Sequence, residues 1–131
     1  MIEVKAYLKE LRMSPRKISE VAALVRGRSV ADALVILNHT PRRAAKPLAK
    51  VIASAQANAT NNHGLKADSL MIKTLSITAG TRLKRFRPVS RGMAHPFQKR
   101  TSNILVIIDG AEKPTKKVEP AAKPVAKKEA K

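Results

Sequence analysis

The twenty residues from Thr81 to Arg100 carry seven basic side chains and no acid: Arg82, Lys84, Arg85, Arg87, Arg91, Lys99 and Arg100. The same segment holds both phenylalanines of the chain, Phe86 and Phe97. Guanidinium and ammonium groups neutralise phosphates and release their counterions, and aromatic rings offer flat faces on which bases stack. The chemistry available here is non-covalent binding of a polyanion. A second basic run, Arg42, Arg43, Lys46 and Lys50, falls in residues 41–60, which also lack an acid. An ordinary solvated face would intersperse acids among such cations, so phosphate contact is the better reading there too.

Residues suited to catalysis are arranged less purposefully. His39 sits in a turn before a helix, His63 beside the helix-ending Gly64, and His95 beside Pro96. None has a histidine or acid partner at metal-ligand spacing. The nine acids are mostly isolated, and neither a nucleophile elbow nor a glycine-rich phosphate loop is present. The expectation is a protein that is not an enzyme and that uses no metal or cofactor.

At 131 residues, with 44% hydrophobic side chains that are nearly all aliphatic, the chain suits one domain with a modest core. Its formal charge of +18 demands a polyanionic partner. The surplus is uneven, since residues 1–40 balance seven basic side chains with four acids. The absence of cysteine excludes disulfides and thiolate chemistry and fits a reducing compartment. No apolar run is long enough to span a membrane and no signal-peptide core is visible, so a soluble cytoplasmic protein is expected.

The elements that must position these cations are legible in outline. Residues 1–8 read as a strand with Ile2, Val4, Ala6 and Leu8 on one face. Ser14 as cap and Pro15 as first residue open a helix whose core stripe is Ile18, Val21, Ala22 and Val25, with Arg26 in its last turn and Gly27 as its stop. Ser29, with Asp32 three residues on, opens a second helix that buries Val30, Ala33, Leu34 and Leu37. Thr40-Pro41 opens the third and longest. Its apolar face is Ala44, Leu48, Val51, Ile52, Ala55 and Ala59, and Arg42, Arg43, Lys46 and Lys50 point the other way. Pro47 within it calls for a kink, or for a helix whose regular part begins at that proline.

Residues 70–79 and 103–108 read as strands, and the basic segment between them, 80–103, as the arms of one long β-hairpin. Arms of about ten residues project about 30 Å. Such a ribbon is marginal in isolation and repels itself, so it is expected to order mainly on its partner. A turn centred between Arg91 and Gly92 places Phe86 opposite Phe97. The two rings then either stiffen the arm as a cross-strand pair or stack on unpaired bases. Pro88 and Pro96 cannot donate ladder hydrogen bonds, which predicts an irregular tip. Residues 111–131, rich in Lys, Ala and Pro, read as a disordered cationic tail beyond a domain of residues 1–110.

The resulting architecture is α+β: three helices packed on a small three-stranded antiparallel sheet, with one long protruding β-hairpin. At this point the order of short motifs matters. It runs Ser14-Pro15-Arg16-Lys17, Val25-Arg26-Gly27-Arg28, Lys50-Val51-Ile52, Ser54-Ala55, Ala57-Asn58-Ala59, Gly80, Leu83-Lys84-Arg85, Pro88, Arg91-Gly92 and Lys99-Arg100-Thr101-Ser102. Across about residues 4–109 this series resembles the twenty-second family of large-subunit ribosomal proteins, in its bacterial form. The resemblance implies a structural constituent of the large ribosomal subunit that binds large-subunit rRNA and aids assembly beside neighbouring ribosomal proteins. It further implies rRNA contacts at Arg16, Lys17, Arg26, Arg28, Lys84, Arg85, Arg87, Lys99, Arg100 and Thr101, and the neighbouring cations Arg12 and Arg82 are expected to join them. Finally, it implies a tip, Pro88, Val89, Ser90, Arg91, Gly92, Met93 and Ala94, that lines the exit tunnel beside the nascent polypeptide. Val89 and Met93 stand where the family usually has arginine, so this tip is less cationic. Two other classes remain open on residue types alone: an architectural DNA-binding protein with a basic β-arm, and a cationic membrane-surface protein. The latter is poorly served by a long helix that offers mainly alanines opposite its lysines.

Overall fold

Alternation of apolar and polar residues along the strands decides which face of the sheet meets the helices. The computed structural model describes residues 2–110. It contains β1 (Ile2–Leu11), α1 (Pro15–Ala23), α2 (Val30–His39), α3 (Ala45–Asn62), β2 (Met71–Pro88) and β3 (Ala94–Gly110). The three strands form one antiparallel sheet in the order β1-β3-β2. Val4 and Ala6 of β1, Ile72 and Leu75 of β2, and Ile104, Val106 and Ile108 of β3 turn inward. There they meet Ile18 and Val21 of α1 and Leu48, Ile52 and Ala55 of α3 in a single apolar cluster. Complete burial of a side chain such as Ile104 or Leu48 stabilises the fold by about 1.5–3 kcal/mol. The expected α+β architecture is the one found. The expectation for the tail concerns residues outside those described.

Local chemistry explains the helix boundaries. Ser29 caps α2 in both directions: its hydroxyl accepts from the Asp32 amide at 3.2 Å and donates to the Asp32 carboxylate at 2.7 Å. Replacing Ser29 by Ala should therefore cost about 1 kcal/mol, read as a lower urea midpoint with an unchanged slope. At α1 the Ser14 side chain makes no cap bond, and Pro15 opens the helix alone. Arg26 lies beyond the end of α1 instead of in its last turn, and its Nε donates to the Leu75 carbonyl at 3.1 Å. Gly27 and Gly64 take positive φ where the chain leaves α1 and α3.

The third helix begins at Ala45, four residues later than a cap at Thr40 would have it. Thr40 belongs to the end of α2, where its hydroxyl donates to the Ile36 carbonyl at 2.7 Å. Pro47 is the reason. In a helix starting at Pro41 it would sit in the interior, lacking a required N–H and crowding the carbonyl four residues back. Starting at Ala45 places it in the first turn, where amides have no helical partner anyway. No kink is needed, and Arg42 and Arg43 move off the helix onto the turn that precedes it.

Two features tie β2 to the rest. The Val30 amide donates to the Leu70 carbonyl and the Ile72 amide to the Arg28 carbonyl, each at 3.0 Å, so the α1–α2 connection borders the start of β2 like a short strand. On the uncovered face of the sheet, Lys73 donates to the Glu3 carboxylate across the central strand. That contact lowers the Glu3 carboxyl and raises the Lys73 ammonium from their ordinary values, chiefly through the hydrogen bond.

Candidate nucleic-acid interface

β2 and β3 outrun the rest of the sheet. Their pairing continues from Arg82↔Arg100 to Pro88↔Ala94, and every residue from 81 to 100 is exposed. The ribbon is thus an arm that leaves the body of the protein, touching it only near the root, where the Thr81 hydroxyl donates to the Glu10 carboxylate at 3.4 Å. The ladder runs through the level of both prolines, so the expected irregular tip is confined to residues 89–93. There the Val89 amide donates to the Met93 carbonyl at 2.8 Å around the turn Ser90–Gly92. Arg91 and Gly92 both adopt positive φ, which Gly takes freely and Arg does not.

Two irregularities in β2, between Ile72 and Thr74 and between Ala79 and Arg82, each insert one residue relative to β3. Their sum sets the register of the arm, and it overturns the expected aromatic pair. Phe86 faces Pro96, and Phe97 faces Arg85. Adjacent strand residues point to opposite faces, so the two rings lie on opposite sides of the ribbon. They cannot stiffen it as a cross-strand pair.

The root of the arm is built from short polar side chains. The Thr101 hydroxyl donates to the Thr81 carbonyl at 2.7 Å, the fully buried Ser102 hydroxyl to the Met13 carbonyl at 3.0 Å, and Asn103 accepts from the Glu10 amide at 2.9 Å. Gly80 leaves room for this latch, since a Cβ there would lie 2.5 Å from the Thr101 hydroxyl oxygen. Thr101 is 5% exposed and its hydroxyl is engaged within the fold. Thr101→Val keeps the shape and removes the bond. It should cost about 1 kcal/mol in urea unfolding and quicken hydrogen exchange in the ladder next to the root.

Beside this root lies a groove of about 790 Å³. The turn before α1 and its first residues contribute Arg12, Arg16 and Lys17, the turn before α3 contributes Arg42 and Arg43, and the arm contributes Gln98 and Arg100. Six cations thus converge on one concavity with one acid, Glu20. Among the described residues the one ion pair is that of Lys73 with Glu3, so the groove's cations are not neutralised by those residues. A second hollow of about 430 Å³ adjoins it, sharing Arg42 and Arg43 and adding Lys46. Lys50 is exposed one turn further along α3. Arg26 and Arg28 stand apart, beyond the other end of α1, where the Arg28 Nε donates to the Leu24 carbonyl at 2.9 Å. The sequence reading gave no site role to Gln98 in the groove or to Gly80, Ser102 and Asn103 at the root. A run of short hydroxyl and amide residues entering an apolar strand is the signal that could have found them.

Residues 6–109 match the profile of the family described as Ribosomal protein L22p/L17e. The chain belongs to the ribosomal protein L22p/L17e family. Among its relatives, the large ribosomal subunit protein uL22 of Clostridium perfringens is 47% identical over 107 residues, covering 82% of this chain and 96% of that protein. The uL22 of Mesoplasma florum is 45% identical over the same length, with 82% and 96% coverage. That of Herpetosiphon aurantiacus is 45% identical over 111 residues, with 85% and 98% coverage. The L22p/L17e match therefore spans the root, the arm and the groove together.

Proposed function

We propose that this protein is a structural constituent of the large ribosomal subunit that binds large-subunit rRNA and works by binding alone, without catalysing a reaction. The observation that carries this reading is the acid-poor groove of Arg12, Arg16, Lys17, Arg42, Arg43 and Arg100, continuous with an arm that bears no acid, on a chain of the L22p/L17e family. Phosphates fill the groove and follow Arg82, Lys84, Arg85, Arg87 and Lys99 along the arm, while Lys46 and Lys50 extend the contact along α3. Arg26 and Arg28 reach a separate rRNA segment at the far end of α1. The tip from Pro88 to Ala94, with Val89 and Met93 exposed, lines the path of the nascent polypeptide and offers it an apolar surface. The protein acts in the cytoplasm, bound to the ribosome among neighbouring ribosomal proteins. Among the described residues, no helix is long and apolar enough to cross a membrane.

Sedimentation of lysate at low, moderate and high salt tests the reading. The protein should travel with the large subunit and leave it only as salt screens the phosphate contacts. Failure to co-sediment at low salt would remove the proposal.

A further inference from the structure

The register of the arm sorts its side chains into two faces. Residues 82, 84 and 86 share one face with 96, 98 and 100, and residues 83, 85 and 87 share the other with 95, 97 and 99. The first face continues the helix-covered side of the sheet and carries Arg82, Lys84, Arg100 and Phe86. The second continues the uncovered side and carries Arg85, Arg87, Lys99 and Phe97. Each face thus presents three cations, one phenylalanine and no acid. The rings are 72% and 40% exposed, and by register they lie one strand residue apart along the ribbon, about 3.3 Å.

A ribbon resting on a single polyanion would need cations on one face only. Its other face, left to solvent, would gain nothing from three more cations and an exposed ring. Equal equipment on both faces suits a slot between two strands of polyanion. The rings sit at nearly one level, with Pro96 paired across the ladder with Phe86 and Arg85 with Phe97. Arg85 donates one Nη1 bond to the Lys84 carbonyl at 2.7 Å, and its remaining donors stay available for a phosphate. We infer that the arm is a two-sided wedge between two RNA segments, with an unpaired base of one stacked on Phe86 and an unpaired base of the other on Phe97. The inference rests on the rRNA reading above and adds the partner groups at these two positions. Charge decides for RNA over a protein pocket at both rings: each sits among cations with no acid on its face, and stacked bases bring the phosphates that such a face requires.

The chain contains no tryptophan, so Phe86→Trp and Phe97→Trp each install a single reporter in the full-length protein. Titrated with large-subunit rRNA, both reporters should be quenched by base stacking, and neither should be quenched by polyphosphate at equal saturation. Phe86→Leu and Phe97→Leu keep apolar surface but lose the ring, and each should weaken rRNA binding about 5- to 150-fold. The double variant should lose the product of the two factors, because the bases belong to separate segments. The wedge is overturned if rRNA binds but one reporter stays bright, if leucine substitutes without loss, or if the double variant loses no more than a single one. It is overturned equally if either reporter responds only in the assembled subunit, which would indicate a protein pocket. Loss of all rRNA binding by the unmodified chain would instead defeat the rRNA reading itself.

Discussion

Replacing Arg12, Arg16, Arg43 and Arg100 together by glutamine should flatten the salt dependence of rRNA binding and weaken it at least about a hundredfold at physiological ionic strength. Each phosphate contact contributes about 0.7–0.9 to the slope of log K against log salt, so four lost contacts should lower its magnitude by about three. The four side chains approach the same groove from three separate elements, which is why they should act as one site and not as scattered surface charge. Glutamine retains polarity and much of the side-chain stem, and the four residues are exposed without an ion pair among the described residues, so unfolding should change little. Glu20→Gln is the opposing control: removing the groove's one acid should leave rRNA binding equal or tighter. Filter binding across a salt series measures both, and an unchanged slope in the fourfold variant would show that the groove holds no phosphates.

Stability and binding should separate just as sharply. Ile104 sits at the centre of β3 between Leu8 and Ile77 and is fully buried, so Ile104→Ala should cost about 2–5 kcal/mol. Against a net stability of about 5–15 kcal/mol this should lower the melting temperature by about 10–30 °C. Removing residues 85–97 and joining Lys84 to Gln98 through Asn-Gly deletes a larger part of the chain yet should shift melting by only a few degrees. The deleted side chains are all exposed, and the Thr101–Thr81 latch below the cut remains. Asn-Gly closes paired strands in the type I′ turn, and Lys84 and Gln98 are already partners. The shortened protein should bind rRNA more weakly and with a shallower salt slope. Calorimetry that shows the arm deletion unfolding the body would contradict this independence of body and arm.

The sequence went furthest where the governing physics is local. Ser29 with Asp32, Pro15, Gly27 and Gly64 announce helix ends through capping and backbone freedom, within a few residues of where the structure has them. The charge of residues 81–100 and the lack of any competing catalytic constellation pointed to a polyanion before any fold was known. The order of motifs from Ser14 to Ser102 pointed to the family.

The third helix was misplaced for an equally local reason, that two Pro-containing starts were available and Pro47 tolerates only one. Thr40-Pro41 looked like a cap, yet Thr40 closes the helix before it.

What the sequence alone determined, then, is the inventory: a modest aliphatic core, capped helices, an acid-free basic segment with two rings, and the family. What only the tertiary structure decided is register and convergence. Whether Phe86 meets Phe97 depends on two single-residue insertions in β2, and a slip of one residue turns a ring to the other face of a ribbon. That offset is held by contacts between distant parts of the chain, among them Thr101 with Thr81, Ser102 with Met13 and Asn103 with Glu10. The groove likewise assembles Arg12, Arg43 and Arg100 from three elements far apart in sequence. Spacing and periodicity describe neighbours along the chain. These contacts join residues that are neighbours only once β1, α1 and the root of the arm have packed together.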